Sequence, residues 1–591
     1  MSIFAVMLPF LCLAALLRVE NLRESFITSA TVTAVYVVLS TELLSRFNAV
    51  AKTPVLVCWS AYLLLLVAWR YCSKGAPDTN RCAATTTLYQ KTLLALLICV
   101  VGTAGIVAIV AAPNNFDSLT YHLPRVMHWI QNRSVQHYPT HIDRQLVLAP
   151  FSEFVILHLH LLSGGDRFDN CVQWFSMIGS AIGVSLIVSV LRGSLNSQIV
   201  AAAIAVSLPM GLLQSTSTQN DYVVTFWLVT LCYYVIKGKQ SPAARDALPV
   251  GASLALAIFT KGTAYLVALP FMLVYAGYSF RNRVQTGAAN LLVLTAAIAL
   301  INGSHYARNL EIYGNPLSPG TGNDIVCSNF GITSAVSSVA KNVATQLGSG
   351  IQGANLRLQA LTRDIHTILA TDVNDPALTT GNGFFLLPAR NHEDFAPNPL
   401  HMTLMLFGAA ALFRGRKNYS RETVVFAITA MLSFVVLSMA IKWNPFISRY
   451  FLPVFVVSAP FLALIYEKNR LRPFIDTCAL LLLIWSFSIL ANNEMRPLVG
   501  RHSVLATERE DQYFMSRPQA KQYFTATTNM IKMQPLANVG ILDRDSNMWE
   551  YILWVQLNDA RGKFRIEHVE VQNASGRLKL QRFSNYLPVM I

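Results

Sequence analysis

Asp117 is the residue around which chemistry in this sequence would be organised. It lies in Asn114-Asn115-Phe116-Asp117-Ser118-Leu119-Thr120-Tyr121-His122, just after the apolar run 92–112 and ahead of a long polar segment. A carboxylate at the exit of an apolar span is placed to do chemistry at a bilayer surface. Its competing role is helix capping, because Asp is a favoured N-cap and a helical pattern follows it. Four cations stand at comparable places. Lys261, Arg308 and Arg449 each adjoin an apolar run, and Arg125 follows Asp117 by two helical turns. Arg suits bidentate phosphate binding and Lys acts as a point charge. The competing role for these cations is snorkelling to headgroups, which is common for basic side chains at helix ends.

The elements that must position these residues are membrane spans. The chain has 591 residues, 53% hydrophobic and only 13% charged, about half the charged fraction of a soluble protein. Mean hydropathy is +0.43. About fourteen apolar runs are visible, near 2–17, 26–44, 54–69, 92–112, 169–191, 198–214, 222–237, 250–261, 263–280, 286–303, 400–414, 422–441, 451–466 and 474–492. Some fall short of the roughly 20 residues a span prefers. The net charge of +15 does not point to nucleic acid, because the basic residues cluster in short loops as the positive-inside rule expects. Lys74, Arg81, Arg192, Lys237, Lys239, Arg281, Arg283, Arg414, Arg416, Lys417, Lys468 and Arg470 fall on one side of an alternating thread, which is then the cytoplasm. Both halves of the chain agree only if 250–280 crosses twice.

Three large polar segments then share the outer face: 113–168, 304–399 and 493–591. In the first, Leu123, Val126, Met127 and Ile130 recur at helical spacing, with Arg125, His128 and Asn132 opposite. This reads as an amphipathic helix along the interface. Residues 151–162 form a second apolar stretch too short to span. The tail reads as a small α/β unit, with strands at 538–542 and 564–571 around a helix at 546–557. The expected fold is thus an α-helical polytopic membrane protein of about thirteen or fourteen transmembrane helices, with outer loops and a small C-terminal α/β domain. Residues 1–91 supply extra N-terminal helices, 92–492 the core, and 493–591 the tail.

Several short motifs resemble those of the GT-C superfamily of membrane glycosyltransferases, nearest in pattern to the protein O-mannosyltransferases and the lipid A aminoarabinose transferase. Phe116-Asp117-Ser118-Leu119-Thr120-Tyr121 resembles the superfamily's first-loop motif, with Ser118 where a second acid is usual. Asn220-Asp221-Tyr222, Thr260-Lys261-Gly262, Arg308-Asn309 with Tyr313-Gly314-Asn315-Pro316, and Ser448-Arg449-Tyr450-Phe451-Leu452-Pro453 follow in order on the outer face. The three leading helices look like an addition to that core.

The resemblance implies transfer of a sugar from a polyprenyl-phosphate donor to an acceptor hydroxyl, with inversion. It places the active site at the periplasmic face of a bacterial inner membrane. Such a reaction needs a base for the acceptor proton and fixed cations for the departing phosphate. Asp117 is the expected base, and Lys261, Arg308, Arg449 and Arg125 are the expected phosphate ligands. Asp221, Tyr121 and His122, with His392 and Glu393 from Arg390-Asn391-His392-Glu393-Asp394, are expected to hold the acceptor or support the site. Asp221 also has the reading of a helix cap, and 390–394 that of a solvated loop. The expected partners are membrane lipid, the lipid-linked sugar, and an acceptor protein or glycolipid. No protein cofactor is implied, although a divalent metal is compatible with the chemistry. His122, His128, His137 and His141 crowd the first loop, but their spacing makes no metal site, and they and Trp129 are expected at headgroup level. The alternative readings are a transporter or flippase of a lipid-linked or polar solute, and a ligase or polymerase moving a whole glycan. No internal repeat of the kind transporters often carry is visible.

Overall fold

The computed structural model describes residues 4–17, 21–72, 86–239, 244–317, 325–381, 383–468, 471–534, 537–557, 564–578, 586 and 588. Lys74, Arg81 and Arg470, counted above among the cytoplasmic charges, lie outside the described residues. Every apolar run read from the sequence forms helix. Eight helices among the described residues are long and apolar enough to cross a membrane. Of the other six runs, 222–237 forms the 18-residue Asp221–Gly238, and the rest give Phe4–Leu17, Leu195–Val206, Ala244–Ile258, Pro399–Gly415 and Leu452–Lys468, each of 17 residues or fewer. At 1.5 Å per residue such helices reach about 25 Å or less, against a hydrocarbon core of about 30 Å.

Local chemistry sets the ends. Thr87 and Gln90 form a reciprocal capping box at the start of Leu88–Val110, so two orphan donors are satisfied together. Asn21, Ser194 and Ser420 cap the Leu22–Arg46, Leu195–Val206 and Arg421–Ala440 helices more simply, each side chain accepting one N–H, from Glu24, Ser197 and Thr423. The run 198–214 differs from its expected form as one helix. It breaks at Ser207 and Leu208, and Pro209 opens a separate helix, Pro209–Gln214, because Pro lacks the N–H that a continuous helix would use. The doubtful pair at 250–280 resolves into Ala244–Ile258 and Thr263–Asn282, with Lys261 in the turn between them.

Two helices form the centre. Asp221–Gly238 is buried at every residue from 221 to 235, and Leu452–Lys468 from 452 to 466. The Lys52–Cys72 helix lies at the periphery, with apolar side chains such as Leu64 and Leu65 outward.

The outer segments are not loose. Leu123–Asn132 forms the expected amphipathic helix, but its polar side does not face water. Arg125 is 1% exposed, held by carbonyls of the 144–148 turn and by Glu153, and His128 is fully buried against Glu550 of the tail. Trp129, His122 and His137 are buried as well, which corrects their expected place at headgroup level. Phe151–Ser163 packs beneath that helix. In 304–399 the Val284–Tyr313 helix runs on past residue 303, followed by Ile332–Gln346 and Gln352–Ile368. The tail contains the expected strand–helix–strand unit. Ala537–Ile541 pairs in parallel with Phe564–His568, and Glu550–Gln556 is the crossover helix.

Candidate active site

Asp117 begins in the first turn of a helix, but Asn115 takes the capping role. The Asn115 side chain accepts the Ser118 N–H at 2.7 Å, and Asp117 makes no side-chain capping bond. Residues Ser118–His122 then wind as a π-helical turn, an irregularity often found at functional sites. The Asp117 carboxylate is thereby left to face other elements.

It meets Arg449 from the Ile447–Tyr450 turn. Arg449 Nη1 lies 2.7 Å from Asp117 Oδ2 and 3.0 Å from Asp394 Oδ1. On the other side, Arg144 Nη1 lies 3.7 Å from Asp117 Oδ1. The Arg144 guanidinium also stacks near the Phe116 and Tyr121 rings, 5.6 and 5.3 Å from their centroids. Its side chain is 38% exposed, the most open of the cations around the carboxylate. Two tail groups steady it: Arg144 Nη2 donates to the Ser546 carbonyl and Asn547 Oδ1 at 3.3 and 3.4 Å.

Lys261 completes the cluster. Its ammonium bridges Asp221 Oδ1 at 2.6 Å. Lys261 and Arg449 both lie over the Tyr450 ring, 5.1 and 5.4 Å from its centroid, so one aromatic face ties the two cations together. Asn220 Nδ2 donates to the Thr260 carbonyl at 3.2 Å, which joins the turns carrying Asp221 and Lys261. Asp117, Tyr121, Asp221, Lys261 and Arg449 are therefore brought together.

The electrostatics around Asp117 are unequal. Burial alone would raise its carboxyl, but the Arg449 guanidinium, with His122 and Arg144, holds it below the usual carboxylate range. Asp394 goes the other way. Burial pushes it up, Arg449 pulls against that, and Asp117 and Glu393 add to the rise.

Four expected site residues are committed to other partners. Arg308 makes a bidentate pair with Glu42, 2.8 Å on both arms; the fork is occupied by a carboxylate from the second helix. Arg125 is spent on carbonyls. It donates through Nε to Gln145 O and through Nη2 to Arg144 O and Leu148 O at 3.3 and 2.8 Å, and it meets Glu153 at 3.3 Å. These bonds tie it to the turn that carries Arg144. His122 is buried on Glu153 at 2.8 Å. Glu393 pairs with Arg496 of the tail at 3.0 Å, with both side chains fully buried, which also corrects the reading of 390–394 as plain solvated loop. His392 sits at the margin, its Nδ1 accepting the Asp394 N–H at 3.1 Å.

Sequence reasoning missed Arg144 and Asp394. Arg144 stands inside the first loop, away from any span end. Asp394 belonged to the run 390–394, but His392 and Glu393 drew attention first.

Among the described residues one trio gathers metal-ligand atoms within 4.8 Å: His128, Glu550 and His568, all buried. Its chemistry is that of a saturated carboxylate. Glu550 Oε1 meets His128 Nε2 and Trp554 Nε1 at 2.7 and 2.9 Å, and Oε2 meets Gln145 Nε2 and His568 Nε2 at 2.7 and 3.2 Å. His568 Nδ1 accepts the His141 N–H at 3.3 Å. That assigns the proton of the neutral ring to Nε2, where a metal would need a lone pair. These donors fit a hydrogen-bonded hub rather than a cation.

Residues 149–305, about a quarter of the chain, match the family model described as dolichyl-phosphate-mannose-protein mannosyltransferase. No curated protein matches the chain. Three solved structures show likeness. ArnT from Cupriavidus metallidurans bound to undecaprenyl phosphate is 12% identical over 84% of this chain and 90% of that one, with a TM-score of 0.49. The oligosaccharyltransferase AglB from Archaeoglobus fulgidus, in complex with an inhibitory peptide and a dolichol-phosphate, is 13% identical over 81% and 65%, with a TM-score of 0.41. The arabinosyltransferase EmbB from Mycobacterium smegmatis is 12% identical over 74% and 44%, with a TM-score of 0.33. The family match and the multi-pass helical fold support the GT-C recognition drawn from the motifs. The chain has the apolar helices of a multi-pass membrane protein, and its segment 149–305 is similar to the mannosyltransferase family named above.

Proposed function

We propose that the protein transfers a sugar from a polyprenyl-phosphate donor to an acceptor hydroxyl at the periplasmic face of a bacterial inner membrane. The observation that carries this reading is the convergence of Asp117 with Arg449, Arg144 and, through Tyr450, Lys261. One carboxylate beside two guanidinium groups of different exposure, with an ammonium joined to one of them across an aromatic ring, suits a proton acceptor beside a phosphate. The description of the matching family, which names dolichyl-phosphate-mannose, supports the donor class.

In the proposed step the acceptor O–H gives its proton to Asp117 as its oxygen attacks the anomeric carbon. The bond from that carbon to the phosphate oxygen breaks on the opposite face, which inverts the centre. The phosphate leaves with the electron pair, and its charge falls on Arg144, Arg449 and Lys261. The energy comes from the phosphoester. At rest, Arg449 holds Asp117 as a poor base. A donor phosphate competes for the same guanidinium, and a carboxylate that loses its counter-charge becomes more basic. The donor thus prepares the base that uses it. The tail, through Ser546 and Asn547 on Arg144, and the 304–399 segment, through Asp394 on Arg449, border the Asp117 cluster and would meet the acceptor.

Mass spectrometry of lipids that co-purify with the wild type and with Asp117→Asn tests this reading. A polyprenyl phosphate-sugar held by Asp117→Asn and spent by the wild type is expected, and it would also name the sugar. Turnover by Asp117→Asn at the wild-type rate would overturn the role of Asp117.

A further inference from the structure

Arg449 serves two carboxylates with one nitrogen. Its Nη1 donates to Asp117 Oδ2 at 2.7 Å and to Asp394 Oδ1 at 3.0 Å. Asp394 is held there from two sides. Gln219 Nε2 donates to Oδ1 at 3.2 Å, and the Asp394 N–H is anchored on His392 Nδ1 at 3.1 Å. Its other oxygen, Oδ2, lies 3.8 Å from His392 Nδ1.

We propose that Asp394 is a positioning residue for Asp117: by claiming part of the Arg449 guanidinium, it keeps the Asp117 carboxylate able to take a proton. The argument is electrostatic. A carboxylate gripped by guanidinium groups is a weak base, and a second negative charge on the same guanidinium offsets that grip. Asp117 is faced by Arg449, Arg144, His122 and Tyr121, with Asp394 the one carboxylate that shares its cation. Asp394 is faced by Arg449, Asp117, Glu393 and His392. Asp221, paired to Lys261 on the far side of Tyr450, acts on Arg449 from a third direction. The opposite displacements of the two carboxyls, Asp117 down and Asp394 up, are those of two acids competing for one counter-charge. This inference rests on Asp117 being the base, and it adds what sets the strength of that base.

The test needs no substrate. The full-length protein in lipid nanodiscs is titrated by infrared difference spectroscopy, and the protonated-carboxyl band missing from Asp394→Asn is assigned to Asp394. The coupling between two acids is reciprocal, and it shows on the one that titrates at higher pH, here Asp394. In Asp117→Asn, which keeps the shape and a hydrogen-bonding oxygen, the midpoint of that band is expected to fall by on the order of one pH unit. In Asp117→Glu, which keeps the charge, it is expected to stay within a few tenths of a unit of the wild type. A midpoint in Asp117→Asn that is unchanged or higher would overturn the proposal. Should Asp117→Asn not fold, Asp117→Ser removes the same charge and carries the same reading. A correct shift alongside normal turnover by Asp117→Asn would retain the coupling and remove the base, so the two failures are distinct.

Discussion

Asp117 and Glu550 are both buried outer-face carboxylates beside cations or imidazoles, yet they are built for opposite ends. Glu550 is fully buried, and its two oxygens receive four donors from the first loop and the tail. Asp117 keeps a 10% exposed side chain, and its strongest partner is divided with another acid. A saturated carboxylate can only hold things together. A carboxylate with a contested partner and access to solvent is able to exchange one partner for another, and proton transfer requires that. The difference shows that burial and a nearby cation do not by themselves mark a reactive acid; unspent valence does.

The largest expected effect breaks the reactive member of the pair. Asp117→Asn should lower transfer by about 10²–10⁴-fold, the usual contribution of a general base, with the thermal midpoint close to the wild type. Measured transfer and thermal unfolding together check this. The matching change at the hub should do the reverse. Glu550→Ala leaves His128, Gln145 and His568 without their shared acceptor and should loosen the tail by about 3–5 kcal/mol, read as faster proteolysis of the segment after 493. Equal protease resistance would mean that the hub does not hold the tail.

The cations sharpen the contrast further. Arg144→Ala should raise the donor KM by about tenfold, roughly 1.4 kcal/mol of phosphate binding, and Lys should rescue it only in part because it lacks the planar fork. Arg308→Ala should instead destabilise the fold and leave donor KM near the wild type, since its guanidinium is committed to Glu42. A donor KM raised in Arg308→Ala but not in Arg144→Ala would reverse these assignments.

The smallest effect is in pH. Burial would raise the Glu550 carboxyl, but His128 and His568 hold it well below its ordinary value. A depressed folded value means that the stabilisation is complete above the ordinary carboxyl pKa of about 4.3. It is lost only as the pH falls through the lower folded value. Proteolysis of the tail should therefore be flat from about pH 8 to about pH 5 and rise only in stronger acid.

The sequence made the helices legible because each is a long apolar run, and it made the tail strands legible because a short apolar segment sits between polar turns. It also revealed Asp117, Lys261 and Arg449, since a charge at the end of an apolar run stands out without knowledge of any neighbour. Arg308 looked the same and was read the same way. Its partner Glu42 lies 266 residues earlier, and no local pattern connects them. The surroundings of Arg125 were hidden for a related reason: most of its partners are backbone carbonyls, which have no signature in sequence. The amphipathic pattern of Leu123–Asn132 was correct as periodicity. It did not reveal that the polar face meets the tail, because Glu550 is 422 residues from His128.

The pairing of Arg308 with Glu42 has a consequence for how the chain is made. Glu42 leaves the ribosome with the second helix, while its counter-charge arrives only with the helix that ends at Tyr313. Until then the membrane holds a carboxylate on Leu22–Arg46 whose partner has not been synthesised. Completion of the Val284–Tyr313 helix neutralises it and fastens the N-terminal helices to the rest. A polypeptide interrupted before residue 308 carries that unmatched acid in its membrane segment, a chemical mark that distinguishes unfinished chains from finished ones during biogenesis.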